Sequence, residues 1–123
     1  ILVMGLRGKG DVLNGEYLTD TLMVLSIKTD TNRAALLSIP RDLYVRIPGL
    51  GKMEKINFAY AYGVAAYRDG LELAERTVER VTGIDIDYAA AVDFTAFMKL
   101  IDMVGGVDVS VPEDFAESAQ WGF

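Results

Sequence analysis

The chain predicts an α+β layered domain, an α/β arrangement in which helices pack on one mixed central β-sheet, and three observations carry that expectation. The first part of the chain holds short apolar runs separated by turn residues, whereas the second alternates helix-like and strand-like patterns. Apolar residues make up 51% of the 123 residues, enough for one real core, so residues 1–123 are read as a single domain. The strand order does not follow from the sequence.

Ile1 to Met4 is a buried strand that Gly5 is expected to end, and the glycine-rich, polar stretch up to Thr19 is a long loop. Thr21 to Ile27 is a second apolar strand, Lys28 to Arg33 a polar turn, and Ala34 to Ile39 a third strand halted by Pro40. Leu43 to Ile47 alternates and reads as a half-exposed strand, broken by Pro48-Gly49-Leu50-Gly51. Ile56 to Gly63 suits a short helix. A clearer helix runs from Gly70 to Thr82, with Asp69 and Glu72 as a capping pair and Gly83 available for a left-handed end. Leu71, Ala74, Val78 and Val81 are its expected apolar face. Tyr88 to Val92 reads as a strand, and Phe94 to Val104 as a helix with Phe94, Phe97, Met98 and Ile101 on one side. Gly105-Gly106 ends that helix, and Val107 to Val111 is expected as a last strand stopped by Pro112.

Composition excludes several chemistries. The formal charge of −6 and the scattered Lys and Arg argue against a nucleic-acid partner, which requires a basic patch. With no cysteine and no histidine, disulfides, thiolate nucleophiles, His-assisted serine catalysis and His/Cys zinc sites are ruled out within the chain. Carboxylates, Arg, Lys, Tyr, hydroxyls or an oxygen-bound metal remain. No apolar run approaches the roughly 20 residues of a membrane span. A start on Ile1-Leu2-Val3-Met4 reads as a core strand cut at its beginning, so the chain is expected to be a piece of a longer protein.

Three stretches carry the candidate site: Leu18-Thr19-Asp20-Thr21, Ser38-Ile39-Pro40-Arg41-Asp42, and Lys55-Ile56-Asn57 through Tyr62-Gly63. Arg41 follows a strand end, and its planar fork can hold two phosphate or carboxylate oxygens. Two readings stand for Asp20: a strand-leading turn residue that accepts backbone amides, or an oxygen ligand for Mg²⁺. Arg41 and Asp42 read equally as a local ion pair. An antiparallel hairpin of the second and third strands would, however, bring Asp20 and Arg41 to one sheet edge. Most aromatics after Lys55 are core, with Phe58 or Tyr62 available to an apolar groove. Gly5 to Gly10 is a poor phosphate loop, because Lys9 precedes Gly10 and a strand rather than a helix follows.

Those stretches resemble the LytR-CpsA-Psr family. Gly83-Ile84-Asp85-Ile86-Asp87-Tyr88 is similar to its helix-to-strand connection, and Val104-Gly105-Gly106-Val107-Asp108-Val109 to its late Gly-Gly strand. The resemblance implies a membrane-anchored phosphotransferase on the outer face of the bacterial membrane, its anchor lying in a segment this chain lacks. Such an enzyme moves a glycopolymer from a polyprenyl-pyrophosphate carrier to a peptidoglycan hydroxyl, with Mg²⁺ as cofactor and an apolar lipid cavity between sheet and helices. Carried over by position, Asp20 is the metal-site carboxylate, Arg41 a pyrophosphate clamp and Asp42 a group that orients Arg41 or a neighbour of it. Lys55 and Asn57 join the substrate side, and Phe58, Tyr62, Phe94, Phe97 and Ile101 are implied as walls of the lipid cavity. The chain departs from the family's pattern at two positions: Arg7 stands where many members carry an Asp, and Leu18 where an arginine is usual. Asp11 and Glu16 are the loop carboxylates available to replace the missing one, and the family's later arginines fall beyond Phe123. The rival reading is a non-catalytic module of the same fold that holds a polyprenyl lipid or a partner.

Overall fold

A computed structural model describes residues 1–8 and 15–114. In chain order these form β1 (Leu2–Leu6), β2 (Thr19–Lys28), β3 (Arg33–Ile39), β4 (Tyr44–Arg46) and β5 (Met53–Lys55). A 3₁₀ turn (Ile56–Phe58), α1 (Ala59–Tyr67), α2 (Gly70–Thr82), β6 (Ala89–Val92) and α3 (Phe94–Met103) follow. The main sheet has the order β3-β2-β1-β6, while β4 and β5 pair separately. β1 is antiparallel to β2 and parallel to β6, so the sheet is mixed as expected.

Strand alternation sorts the side chains onto two faces. Leu2, Met4, Leu22, Val24 and Ile39 point to one face and join Ala59, Leu73, Ala74 and Val78 in the core, so α1 and α2 cover that side. Val3 pairs with Met23 and Gly5 with Thr21 on the opposite face, against which Phe94 and Phe97 of α3 stand. The result is three layers with the sheet in the middle.

α2 matches its expected limits because its signals are local. The Asp69 carboxylate accepts a hydrogen bond from the Glu72 amide at 3.0 Å, and Gly83 closes the helix at φ 71°. Its apolar face is rotated from the expected one: Leu73, Ala74, Thr77 and Val78 are buried, whereas Leu71 and Val81 are exposed. The reason is the close approach of α1. A Cβ placed on Gly63 would lie 2.5 Å from the Asp69 carbonyl oxygen and 2.9 Å from the Gly70 Cα, so the two helices meet along the Gly63–Gly70 contact. That approach aims the Leu73 side of α2 inward.

Four other expectations change. β1 continues through Gly5 to Leu6, because Gly5 keeps its place opposite Thr21 in the ladder. The Leu43 to Ile47 strand shortens to Tyr44–Arg46 and gains an unforeseen partner in β5, beyond the Pro48 to Gly51 turn. The helix expected over Ile56 to Gly63 is a 3₁₀ turn followed by α1, which extends to Tyr67. Val107 to Val111 is not a strand: Gly105 and Gly106 both take positive φ, 86° and 92°, and Val109 is 76% exposed with no strand beside it among the described residues. Alternation alone does not make a strand when no neighbour is in reach to pair with it.

Candidate functional site

The three stretches named from the sequence converge on one end of the sheet. β2 and β3 pair Leu22 with Ile39, and Asp20 and Arg41 each lie two residues beyond that last pair. The Arg41 Nη1 donates to the Asp20 Oδ1 at 2.8 Å. The third stretch is stitched to the second through its backbone: the Ile56 amide donates to the Leu43 carbonyl at 2.8 Å and the Asn57 amide to the Arg41 carbonyl at 3.2 Å. The Thr19 hydroxyl donates to the Asn57 carbonyl at 3.4 Å, tying in the first stretch. Lys55 is thereby set beside Asp42, with Nζ 2.7 Å from Oδ1.

A β-bulge aims Asp20. Gly5 pairs with Thr21 and Leu6 with Thr19, so Asp20 is an extra residue with no partner of its own in the ladder. The extra residue explains why Thr19 and Leu22, three positions apart, both face the core at 1% exposure. It also brings Arg7 into range. The Arg7 amide donates to the Leu18 carbonyl at 3.1 Å, and its Nε donates to the Asp20 Oδ2 at 3.3 Å. Arg7, Asp20, Arg41, Asp42 and Lys55 thus form a continuous alternation of charge, closed by a 3.6 Å approach of Arg41 Nε to Asp42. With Glu54 beside Lys55, three cations stand among three carboxylates, a balance of charge on a chain that is acidic as a whole.

Two cavities meet at this cluster. A polar cleft of about 410 Å³ is lined by Arg7, Leu18, Arg41, Asp42, Lys55 and Phe58 together with Glu54 and Asn57. On the α3 side of the sheet, an apolar groove of about 310 Å³ runs between Val3, Met23 and Val92 and the rings of Phe94 and Phe97, with Asp20 at its edge. Asp20 therefore borders the groove while holding two arginines of the cleft.

The residues implied as lipid-cavity walls separate accordingly. Phe94 and Phe97 line the apolar groove, and Phe58 lines the polar cleft. Tyr62 and Ile101 line neither. Tyr62 stacks on Phe58 at 6.1 Å and donates its hydroxyl to the Gly49 carbonyl at 3.0 Å, which fixes it on the α1 side of the sheet. Burial pushes its phenol pKa up, with Tyr67 adding to the effect. Asp11 lies outside the described residues. Sequence reasoning did not select Arg7, Val3, Met23 or Val92; the broken alternation at Thr19–Leu22 was the available signal for the bulge that assembles them.

The hydrogen bond from Lys55 holds the Asp42 carboxyl below its ordinary value of 3.8, with the charge of Arg41 adding to the effect. A depressed carboxyl contributes stability above its ordinary value and loses it as pH falls through the folded value, in the acid range below 3.8; exposure to solvent keeps that contribution small. In Lys55→Ala the Asp42 carboxyl is expected to titrate nearer its ordinary value. Carbon-detected NMR titration reads this directly, and an unmoved midpoint would remove Lys55 as the cause.

The donor set is poor for magnesium. Mg²⁺ is bound through one or two carboxylates plus waters and substrate phosphates at near-octahedral geometry. Here each Asp20 oxygen already accepts from a guanidinium. A cation approaching either oxygen meets a like charge within hydrogen-bonding range.

Fold and site together define a layered α+β domain with a guanidinium-bearing polar cleft and an apolar groove beside it. The chain belongs to the LytR_cpsA_psr family, whose model matches residues 1–122. It is 37% identical over 117 residues to the polyisoprenyl-teichoic acid–peptidoglycan teichoic acid transferase TagU of Bacillus cereus, covering 95% of this chain and 36% of the relative. The chain thus spans about a third of the length of the curated relatives it matches. Among solved structures, TagV of B. subtilis superposes with a TM-score of 0.76 at 37% identity over 95% of this chain and 44% of that one. The family protein YwtF (TagT), with bound octaprenyl pyrophosphate lipid, gives 0.73 at 34% identity over 92% of this chain and 41% of its own. Among the described residues, no helix is long and apolar enough to cross a membrane.

Proposed function

We propose that this domain binds a polyprenyl-pyrophosphate-linked glycopolymer and transfers the glycopolymer to a peptidoglycan hydroxyl at the outer face of a bacterial membrane. The observation that carries the reading is the position of Asp20, which borders the apolar groove and anchors both arginines of the polar cleft. The lipid tail follows the groove past Phe94 and Phe97, and the diphosphate lies in the cleft against Arg7, Arg41 and Lys55. A hydroxyl oxygen attacks the sugar-linked phosphorus, and its proton passes to the departing phosphate oxygen. The bond to the bridging oxygen breaks, and polyprenyl phosphate leaves. Arginines supply the positioning and charge neutralisation on which phosphoryl transfer depends, so the absence of His and Cys is no obstacle. The names of the similar transferases and the octaprenyl pyrophosphate in the TagT structure support this assignment.

The test is release of polyprenyl phosphate from a lipid-linked glycopolymer in the presence of peptidoglycan, compared between the protein and its Asp20→Asn variant. Release by the wild type that the variant loses is expected; equal release from both would overturn the site. A binding module without transfer is the second reading, favoured because both carboxylates of the cluster are held by cations rather than placed to take a proton. Tight binding of the lipid with no release would select it.

A further inference from the structure

We propose that the Arg7 guanidinium takes the place of a divalent cation at Asp20, so that this chain holds a diphosphate head through arginines and without magnesium. The inference rests on the proposed function for the nature of the ligand, but its geometry is independent of it. Arg7 follows directly on β1, where its amide bonds to Leu18 and the next amide, of Gly8, donates to the Glu16 carbonyl at 2.9 Å. Those two bonds tie the bend after β1 to the segment before β2 and fix where the Arg7 side chain leaves the backbone. Nε then docks on Asp20 Oδ2 while Arg41 holds Oδ1.

A guanidinium carries five N–H donors in a fixed fork and is always charged. Arg7 uses its Nε on Asp20, and Arg41 uses one Nη1 donor there and approaches Asp42 through Nε. Both arginines line the same polar cleft. Asp20 acts as the anion that holds two cations side by side against their mutual repulsion, the service a carboxylate otherwise gives a metal. The two cations can then contact non-bridging oxygens of both phosphates, since arginine matches phosphate geometry with paired donors. A metal entering the site would have to share Asp20 with two guanidinium groups, whose positive charge opposes its approach.

The experiment is calorimetric titration of the purified protein with farnesyl pyrophosphate, in Mg²⁺ and in EDTA, for the wild type, Arg7→Ala and Arg7→Asp. Arg7 is half-exposed and outside the core, so both variants retain the fold. Expected are wild-type affinities that differ by less than about twofold between the two conditions, a loss of about tenfold or more in Arg7→Ala, and binding by Arg7→Asp that is restored only by Mg²⁺. Wild-type affinity that falls about tenfold on chelation would overturn the inference and leave the proposed function standing. Unchanged affinity in Arg7→Ala would also overturn it. Farnesyl pyrophosphate that binds in neither condition would overturn the proposed function, and the inference with it. Line broadening of the wild-type Asp20 resonances by Mn²⁺, in the absence of any lipid, would count against the inference on its own.

Discussion

Arg41→Ala is expected to lower kcat/KM for release of polyprenyl phosphate about thirtyfold, the equivalent of about 2 kcal/mol for one charge-assisted contact in a desolvated complex. The fold should not register the change. Arg41 is half-exposed, its side chain 47% accessible, and ion pairs at such a surface contribute little to stability. An unchanged thermal midpoint with lost turnover would therefore place the effect in the substrate complex. Arg41→Lys separates charge from shape: lysine retains the cation but not the planar fork that bonds Asp20 and reaches toward Asp42. Partial recovery is expected. Full turnover in Arg41→Ala would sink the assignment of the polar cleft as the diphosphate site.

Gly63→Ala is expected to destabilise the domain by on the order of 3 kcal/mol. In an open helix the same change gains about 1 kcal/mol from helix propensity. Here the added methyl would lie 2.5 Å from the Asp69 carbonyl oxygen and 2.9 Å from both the Gly70 Cα and the Leu73 Cβ. Two of those atoms are backbone, so relief requires α1 and α2 to separate and Leu73, Ala74 and Val78 to lose contact with the sheet. Gly83→Ala is the control: its left-handed φ of 71° disfavours a side chain, but no atom lies within 4 Å, and about 1 kcal/mol is expected. Urea unfolding at constant m-value compares the two variants. A Gly63→Ala midpoint equal to the wild type would show that the helices yield without loss.

What the sequence discloses here is what short-range chemistry decides. α2 was legible because Asp69, Glu72 and Gly83 act within a few residues of one another, and the meeting of Asp20 with Arg41 because an antiparallel hairpin obliges it. Which side of α2 is buried depended on Gly63, a residue of another helix, and the rotation from Leu71 to Leu73 followed from that contact. β5 was missed because three residues, Met53-Glu54-Lys55, carry no pattern of their own and become a strand only against β4. Val107 to Val111 failed in the opposite sense, a pattern without a partner. At the site, Arg7 registered as a departure from a motif but not as a contact, since its reach to Asp20 depends on one residue's phase shift in β2. The aromatics divided between cleft and groove because the sheet lies between α1 and α3, a separation that spacing along the chain does not encode.

That single extra residue also separates what the scaffold requires from what the site uses. Without Asp20, Thr19 would still fall opposite Leu6 and Thr21 opposite Gly5, the pairings they already make, and the two strands would run on in unbroken step. The ladder has no use for the residue. It is a syllable outside the metre, and the chemistry hangs on it: substitutions there can re-tune the affinity for a charged head while the sheet, whose rhythm never counted that position, carries on unaltered.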